Sequence, residues 1–316
     1  MGSNTKLDYI DAMNRFSRRS KIALLEERTP GALEILKNCT VCPRNCEIDR
    51  TKGETSHCGV DARLKVSSIN LHFGEEPPIS GISGSGTVFL SGCNLKCVYC
   101  QNYPISQFRQ GRYVTAEELA DGMLRLERGG AHNINFVTPT HYVPRLMEAM
   151  LLAYRKGLTL PIVYNSSGYD KVETLRLLDG IVEIYMPDMR YSNEESSKCY
   201  SAADDYPEIN RAAIKEMHRQ VGDLVLDDRG VAVSGILVRH LVLPYGISGS
   251  KPIFEFLAGE ISKETYVSLM SQYFPAHKAT SIEKLKRRLL KGEYKAALDA
   301  FDEAGLSNGY AQPYWG

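Results

Sequence analysis

Residues 87–104 read Thr-Val-Phe-Leu-Ser-Gly-Cys-Asn-Leu-Lys-Cys-Val-Tyr-Cys-Gln-Asn-Tyr-Pro. The apolar run Val88, Phe89, Leu90 reads as a strand, and Gly92 permits the turn that ends it. Cys93, Cys97 and Cys100 then stand in a C-x3-C-x2-C array. Thiolate is the ligand that iron–sulfur clusters take, so three thiolates on one tight loop suit three irons of a cubic [4Fe–4S] cluster. The fourth iron has no protein ligand, and an open coordination position is what separates a reactive metal site from a structural one. Tyr99 stands where an aromatic ring would contact a ligand bound there. The competing reading is a zinc knuckle or three unrelated buried thiols; spacing, strand, glycine and aromatic together favour the cluster.

Upstream, Cys39, Cys42, Cys46 and Cys58 follow spacings of x2, x3 and x11. Four thiolates with no position spare describe a closed site for an iron–sulfur cluster, one iron or one zinc. Two roles stand open for it: stapling a loop-rich segment, or accepting and relaying electrons. The close spacing of the first three, with Pro43 after Cys42, leans towards iron. Of the 8 cysteines, only Cys199 falls outside these groups, and it reads as a small buried hydrophobe. In a reducing compartment such grouping means metal binding, not disulfides.

A chain of 316 residues with 43% hydrophobic content can build one large α/β domain with an appendage. Its formal net charge of zero argues against a nucleic-acid groove or an acidic membrane surface as partner. No run is apolar enough to span a bilayer and the N-terminus lacks a signal-peptide core, so a cytoplasmic location is expected.

Residues 7–28 alternate apolar and charged positions as an amphipathic helix, with Arg15, Arg18, Arg19 and Lys21 on its solvated face and Pro30-Gly31 as its stop. A short helix over 32–37 is expected next. Residues 66–73 read as a strand that Glu75-Glu76-Pro77-Pro78 ends, because prolines remove ladder donors. The Gly/Ser stretch 81–86 divides a helix and four-cysteine segment, 1–83, from a second unit, 84–316. Strands over 133–137, 161–165, 181–186, 233–243 and 265–270 then alternate with helices. Those helices are 115–128 (with a Thr115/Glu118 capping box), 142–156, one through 178, 206–221 and a group near 280–304. Such alternation means a parallel sheet with right-handed crossovers. Six units are too few for an eight-unit barrel, so the expected fold is α/β: a partial (β/α)6 barrel of the TIM type with a cysteine-rich N-terminal extension. Its active face lies at the C-terminal strand ends.

The array Cys93–Cys100 resembles the signature of radical S-adenosylmethionine (SAM) enzymes. That resemblance implies that the methionyl amino and carboxylate groups of SAM bind the open iron, and that the reduced cluster cleaves the sulfonium to a 5′-deoxyadenosyl radical. Residues 39–316 look most like the pyruvate formate-lyase-activating-enzyme branch, and within it like a set with an N-terminal four-cysteine segment. Where the wider family has Gly-Gly-Glu for the SAM amino group, this chain reads Thr138-Pro139-Thr140-His141. No carboxylate neutralises the ammonium there; Thr138 and Thr140 are carried over as cofactor contacts, and His141 reads equally well as a loop imidazole with no ligand. Asn165-Ser166-Ser167-Gly168 aligns with an Asp-Thr-Asn-Gly motif of the branch, and Met186-Pro187-Asp188-Met189-Arg190 with Leu-Asp-Leu-Lys. In the branch these loops serve a monovalent cation beside the cofactor carboxylate, which implies Asn165, Ser166, Asp188 and the Met186 carbonyl as its oxygen ligands. Arg239 and His240 are neighbours on a strand and point to opposite faces. The resemblance puts Arg239 inward, against a carboxylate of cofactor or substrate, and leaves His240 structural. His277, in a stretch resembling a strand-six end, is a further cofactor contact.

The expected function is hydrogen-atom abstraction by a deoxyadenosyl radical. Its first form is a glycyl-radical-enzyme activase acting on a partner protein's glycine. Its second is oxidative modification of a peptide or small molecule, with the four-cysteine site passing an electron. A non-catalytic iron–sulfur or redox-sensing protein is the alternative of another class. The implied partners are a reductant such as flavodoxin or ferredoxin and a protein or peptide substrate; the scaffold itself does not choose among reactions.

Overall fold

The protein is described by a computed structural model over residues 16–314. The elements run α1 (Arg18–Glu34), β1 (Leu64–His72), α2 (Pro77–Ser80), β2 (Ser85–Leu90), α3 (Tyr103–Ser106), β3 (Arg112–Val114), α4 (Ala116–Arg128), β4 (Ile134–Val137), α5 (Val143–Arg155) and β5 (Ile162–Ser166). They continue with α6 (Val172–Arg176), β6 (Ile184–Pro187), α7 (Glu194–Ser201), α8 (Tyr206–Val221), β7 (Val225–Leu226), β8 (Ala232–Leu241), α9 (Ser250–Phe256), β9 (Tyr266–Met270), α10 (Lys291–Glu303) and β10 (Gly309–Ala311). Among the described residues the strands form one sheet, β10-β9-β8-β6-β5-β4-β2-β1-β3, with β7 attached to β8. Strands β2, β4, β5, β6, β8 and β9 are parallel in sequence order, which is the expected partial (β/α)6 barrel. The expected strand positions hold to within a few residues. No helix among the described residues is long and apolar enough to cross a membrane.

Parallel strands covered on both faces are apolar almost throughout. On the inner face Val163, Ile184, Met186, Leu237 and Tyr266 pack with Ile79 of α2 to fill the N-terminal end of the barrel. On the outer face α4 opens with the expected capping box: Glu118 N donates to Thr115 Oγ1 at 3.1 Å and Thr115 N to Glu118 Oε2 at 2.8 Å. Antiparallel β1 and β3 extend the β2 edge, and the β1–β2 pairing runs across residue 83, joining the N-terminal segment and the barrel in one sheet. Gly86 lies inside β2, where a Cβ would come within 2.6 Å of the Asn133 carbonyl, so the glycine serves a close backbone approach.

Several local expectations differ from what is observed. Helix α1 runs on through Pro30 to Glu34, because Lys21, Leu25, Thr29 and Ala32 form one buried stripe that packing sustains past the proline. Only a 3-10 turn, Ile35–Lys37, follows. The expected helix before residue 16, with Arg15, lies outside the described residues. Lys21 is not solvated: it is 1% exposed, forms an ion pair with Glu183 and donates to Tyr154 Oη at 2.7 Å. The helix beyond β5 is short, and before α10 the chain makes only a 3-10 turn, His277–Ser281. Cys199 is exposed, not buried, because Ser197, Tyr200 and Ser201 take the inner face of α7. His240 is structural as expected. Its Nδ1 lies 2.7 Å from the Met189 carbonyl and its Nε2 2.9 Å from Ser250 Oγ, while burial pushes it down to about 4 and keeps it neutral.

Lys21 and Glu183 are 162 residues apart in sequence and tie α1 to the barrel wall. Removing one member of a buried pair strands the other charge, at a cost of about 3–5 kcal/mol. Lys21→Met is therefore expected to lower the urea midpoint strongly, and Lys21→Met/Glu183→Leu to recover part of the loss. A single variant as stable as the parent would show that the pair carries no such weight.

Candidate active site

The cysteine loop leaves the C-terminal end of β2 and is tied down on every side. Gly92, at φ 86°, turns the chain where a Cβ would come within 2.8 Å of the Cys58 carbonyl. Lys96 N and Val98 N donate to the carbonyls of Ser201 and Tyr200 at 3.0 and 2.9 Å. Val98 O accepts from Lys278 N and Ala279 N at 2.9 and 3.0 Å. Asn94 Nδ2 donates to Tyr169 O at 2.7 Å, and Arg44 Nε donates to Asn94 O at 2.9 Å. Backbone groups of the loop are thus satisfied by three distant segments, which leaves the thiols free to face inward.

Cys93, Cys97 and Cys100 are all free thiols. Ser201 Oγ donates to Cys97 Sγ at 2.9 Å, Leu95 N to Cys93 Sγ at 3.4 Å, and Cys100 Sγ lies 3.1 Å from Ser106 Oγ. Burial, with Cys97 and Cys100 alongside, pushes the Cys93 thiol up to about 12. Such thiols give up their protons only to a strong positive charge, which is what bound iron supplies. Among the described residues no three His, Cys, Asp or Glu side chains are arranged to hold a metal ion. A cubic cluster attaches each thiolate to a different corner iron, and its ligands stand farther apart than those of a lone ion. The donor set fits a cluster held by Cys93, Cys97 and Cys100.

Beside the loop lies a cavity of about 170 Å³ lined by Tyr99, Cys100, Asp188, Arg190, Arg239 and Gln272, among others. It shares Asn102, Arg239, Met270 and Gln272 with a second cavity of about 370 Å³ that continues into the barrel and reaches Asn165. Asp188, at the end of β6, is the hub. It pairs with Arg190, accepts from Arg239 Nε at 3.0 Å, and Arg239 Nη2 in turn donates to Asn165 Oδ1 at 2.7 Å. Arg190 Nη1 reaches Cys97 Sγ at 3.8 Å. Asp188 and the two guanidinium groups it bonds therefore connect β5, β6, β8 and the cysteine loop.

Tyr99, Asp188, Asn165 and Arg239 all line this joined space, and Arg239 points inward as expected. The oxygens expected to ligate a monovalent cation are engaged otherwise: Asp188 and Asn165 by guanidinium groups, and Ser166 Oγ by donating to Asp170 Oδ2 at 2.6 Å. Met186 is packed in the apolar filling of the barrel. Thr140 Oγ1 donates to Asp170 Oδ1 at 2.7 Å, so its hydroxyl serves the wall. Thr138 has φ 60° and its N–H donates to Asn165 O at 2.8 Å. His277 lies on the far side of the loop, stacked on Tyr103 with centroids 5.0 Å apart.

Sequence reading missed four residues. Arg190 shares a face with Asp188 by strand alternation, so the Asp-x-Arg spacing pointed to it. Asp170, buried among the hydroxyls of Thr140, Tyr164 and Ser166, organises the loops after β4 and β5; burial pushes its carboxyl up. Tyr191 donates to Tyr99 Oη at 2.7 Å and Ser201 holds Cys97; neither carried a motif, though 18 tyrosines against 9 phenylalanines pointed to polar use of aromatics.

The four-cysteine segment packs against the same loop. Arg50, 2% exposed, donates to His141 O at 2.7 Å and Asp61 O at 2.8 Å and reaches Cys39 Sγ at 3.7 Å. His141 is buried between the two cysteine groups, its Nε2 3.0 Å from the Ser91 carbonyl, and burial pushes it down to about 3. Cys42 is pushed up to about 12 by burial, with Cys58, Cys39 and Cys46 adding to the rise.

A loop of three free thiols, two buried and one half-buried, at the C-terminal mouth of a partial (β/α)6 barrel, beside an ionic cavity, defines a class of cluster-dependent enzymes. Residues 87–222 match the family description "Radical SAM superfamily", and the chain belongs to that superfamily. It is 30% identical over 296 residues to the uncharacterized protein MJ0674 of Methanocaldococcus jannaschii, covering 90% of this chain and 80% of that one. It is 25% identical to the uncharacterized protein MJ0808 of the same organism, over 77% and 72% of the two chains. Among solved structures, HydG, a maturase of the [FeFe]-hydrogenase, superposes with a TM-score of 0.51 at 12% identity, over 94% of this chain and 67% of that one; the likeness is one of fold. Membership implies a [4Fe–4S] cluster, SAM and a reductant.

Asp188 pairs with two guanidinium groups that border the cavity beside the cysteine loop. Asp188→Asn keeps the shape but removes that charge, and is expected to weaken SAM binding by about tenfold or more. The absorbance of the assembled cluster is expected to persist. Unchanged affinity with an intact cluster would make Asp188 a wall residue only.

Proposed function

We propose that this chain abstracts a hydrogen atom from a peptide or small-molecule group held in the joined cavity between the cysteine loop and the inner barrel wall. The carrying observation is the continuity of the two cavities: one lined by Cys100 and Tyr99, the other by Asn165, with Arg239 in both. The bound cluster, when reduced, supplies one electron to SAM, giving methionine and a deoxyadenosyl radical that takes a hydrogen atom from a substrate C–H bond. The chain's own residues do the rest. Cys93, Cys97 and Cys100 hold the cluster. Tyr99, Arg190 and Arg239 border the cofactor, the guanidinium groups offering partners to carboxylate, and the buried tyrosines beneath the loop exclude water.

Glycyl-radical activation of a partner protein and oxidative modification of a peptide or small molecule are two forms of this reading. The place of the four-cysteine segment supports the second. Cys58 touches the turn at Gly92, one residue before Cys93, and Lys96 lies within the field of both Cys93 and Cys58. A metal held by Cys39, Cys42, Cys46 and Cys58 would stand beside the first cluster, suited to take up the electron left on an oxidised substrate.

Replacing Cys93, Cys97 or Cys100 with Ala is expected to abolish deoxyadenosine formation from SAM and dithionite in anaerobically reconstituted protein; wild-type rates in any one of them would sink the reading. For the four-cysteine site, Cys42→Ala is expected to lose iron beyond the first cluster and still cleave SAM. Stoichiometric zinc in protein purified without air, with no extra iron, would instead make that segment a structural staple.

A further inference from the structure

The β1–β2 hairpin does more than close the sheet edge. Its connection, residues 73–84, folds under the barrel from the N-terminal side, opposite the cysteine loop. It is stapled in place: Glu75 N donates to Ser80 Oγ at 3.1 Å, Ser80 Oγ to Glu75 O at 3.2 Å, and Asn133 Nδ2 to Ile79 O at 2.8 Å. The result is a pair of adjacent carboxylates, Glu75 and Glu76, lining the inner cavity of about 370 Å³. The prolines that end β1 thereby have a second consequence, since Pro77 and Pro78 open α2 and aim the two residues before it into the barrel.

Carboxyl groups outnumber guanidinium groups in this space. Asp188, Glu75 and Glu76 face Arg190 and Arg239. Arg190 is paired with Asp188, and Arg239 is shared between Asp188 at 3.0 Å and Glu75 at 3.6 Å. Glu76 is 6% exposed, and its Oε2 has no hydrogen-bond partner. Beside Glu75, whose carboxyl its amide draws down, Asn135 is fully buried with its amide oxygen unpartnered, and Ser268 Oγ on β9 is likewise unused. Leaving a buried polar atom unpaired costs about 1–3 kcal/mol, more when it is charged. Glu76 Oε2, on a residue that lines the cavity, marks a place where a ligand completes the bonding. Burial, opposed by Arg239 and Asn135 and reinforced by Glu76 and Asp188, pushes the Glu75 carboxyl up to about 7.

We infer that the floor of the barrel is a subsite for a cationic nitrogen of the substrate, an alkylammonium-type group received by Glu76 and Glu75 with Asn135 alongside. This rests on the reading that substrate enters the joined cavity. A chain anchored at the floor by its charged end extends along the barrel axis and presents its carbon atoms towards Tyr99 and Cys100.

The test uses reconstituted full-length protein and two isosteric probes, n-butylammonium and n-butanol, with dissociation constants from saturation-transfer NMR. The parent is expected to bind the ammonium at least about tenfold more tightly than the alcohol, and Glu76→Gln to bring the two within about twofold. Equal binding in the parent overturns the proposal, as does a preference that survives in both Glu76→Gln and Glu75→Gln. Deoxyadenosine formation by the parent is measured on the same preparation. Cleavage without ammonium preference removes the subsite and leaves the enzyme; preference without cleavage removes the enzyme reading and leaves the subsite.

Discussion

One carboxylate holds the working end of this molecule together. Asp188 lies between the guanidinium groups of Arg190 and Arg239, and through them reaches Cys97, Asn165 and Glu75. In a buried space such ion pairs are tolerated only when each charge is matched and its remaining hydrogen bonds are made. That demand sets the rotamers of two arginines, fixes the spacing of β5, β6 and β8 at their C-terminal ends and orients the cavity wall. The cavity beside the cysteine loop is a consequence of this ionic lattice as much as of the barrel.

The cysteine loop imposes the second constraint. A loop with three metal ligands carries many backbone polar groups that cannot be left bare. Here they are met from the far sides of the chain: the end of α7, the turn after β9, and the N-terminal segment. The four-cysteine segment is accordingly part of the wall of the first site. His141, neutral and buried between the two cysteine groups, and Arg50, bonded to both His141 and Cys39, make the two sites mechanically one.

The barrel interior divides along its axis for a simple reason. Near the N-terminal ends Ile79, Val163, Ile184 and Leu237 fill most of the space, with Asn135 level with Val163 and Asn133 holding the Ile79 carbonyl. Further along, the same inward-facing register carries Asn165, Asp188 and Arg239, because strand alternation keeps one face turned to the lumen while the side chains change character. The hairpin connection supplies Glu75 and Glu76 at the junction, and the lumen becomes a polar shaft with charged ends.

The chain by itself determined the order of strands and helices, the parallel sheet, the three-thiol loop and the opposite facing of Arg239 and His240. These depend on local periodicity, on proline and glycine, and on cysteine spacing, all of which act over short stretches. It also marked Asp188 and Asn165 as strand-end residues, though not their partners. Only the tertiary structure decided that Lys21 is buried against Glu183, that α1 continues past Pro30, that Thr140 and Ser166 are consumed by Asp170, and that Glu75 and Glu76 face the lumen. Each of these turns on a contact between segments far apart in sequence, where the energy of satisfying a buried charge or hydroxyl exceeds any local preference.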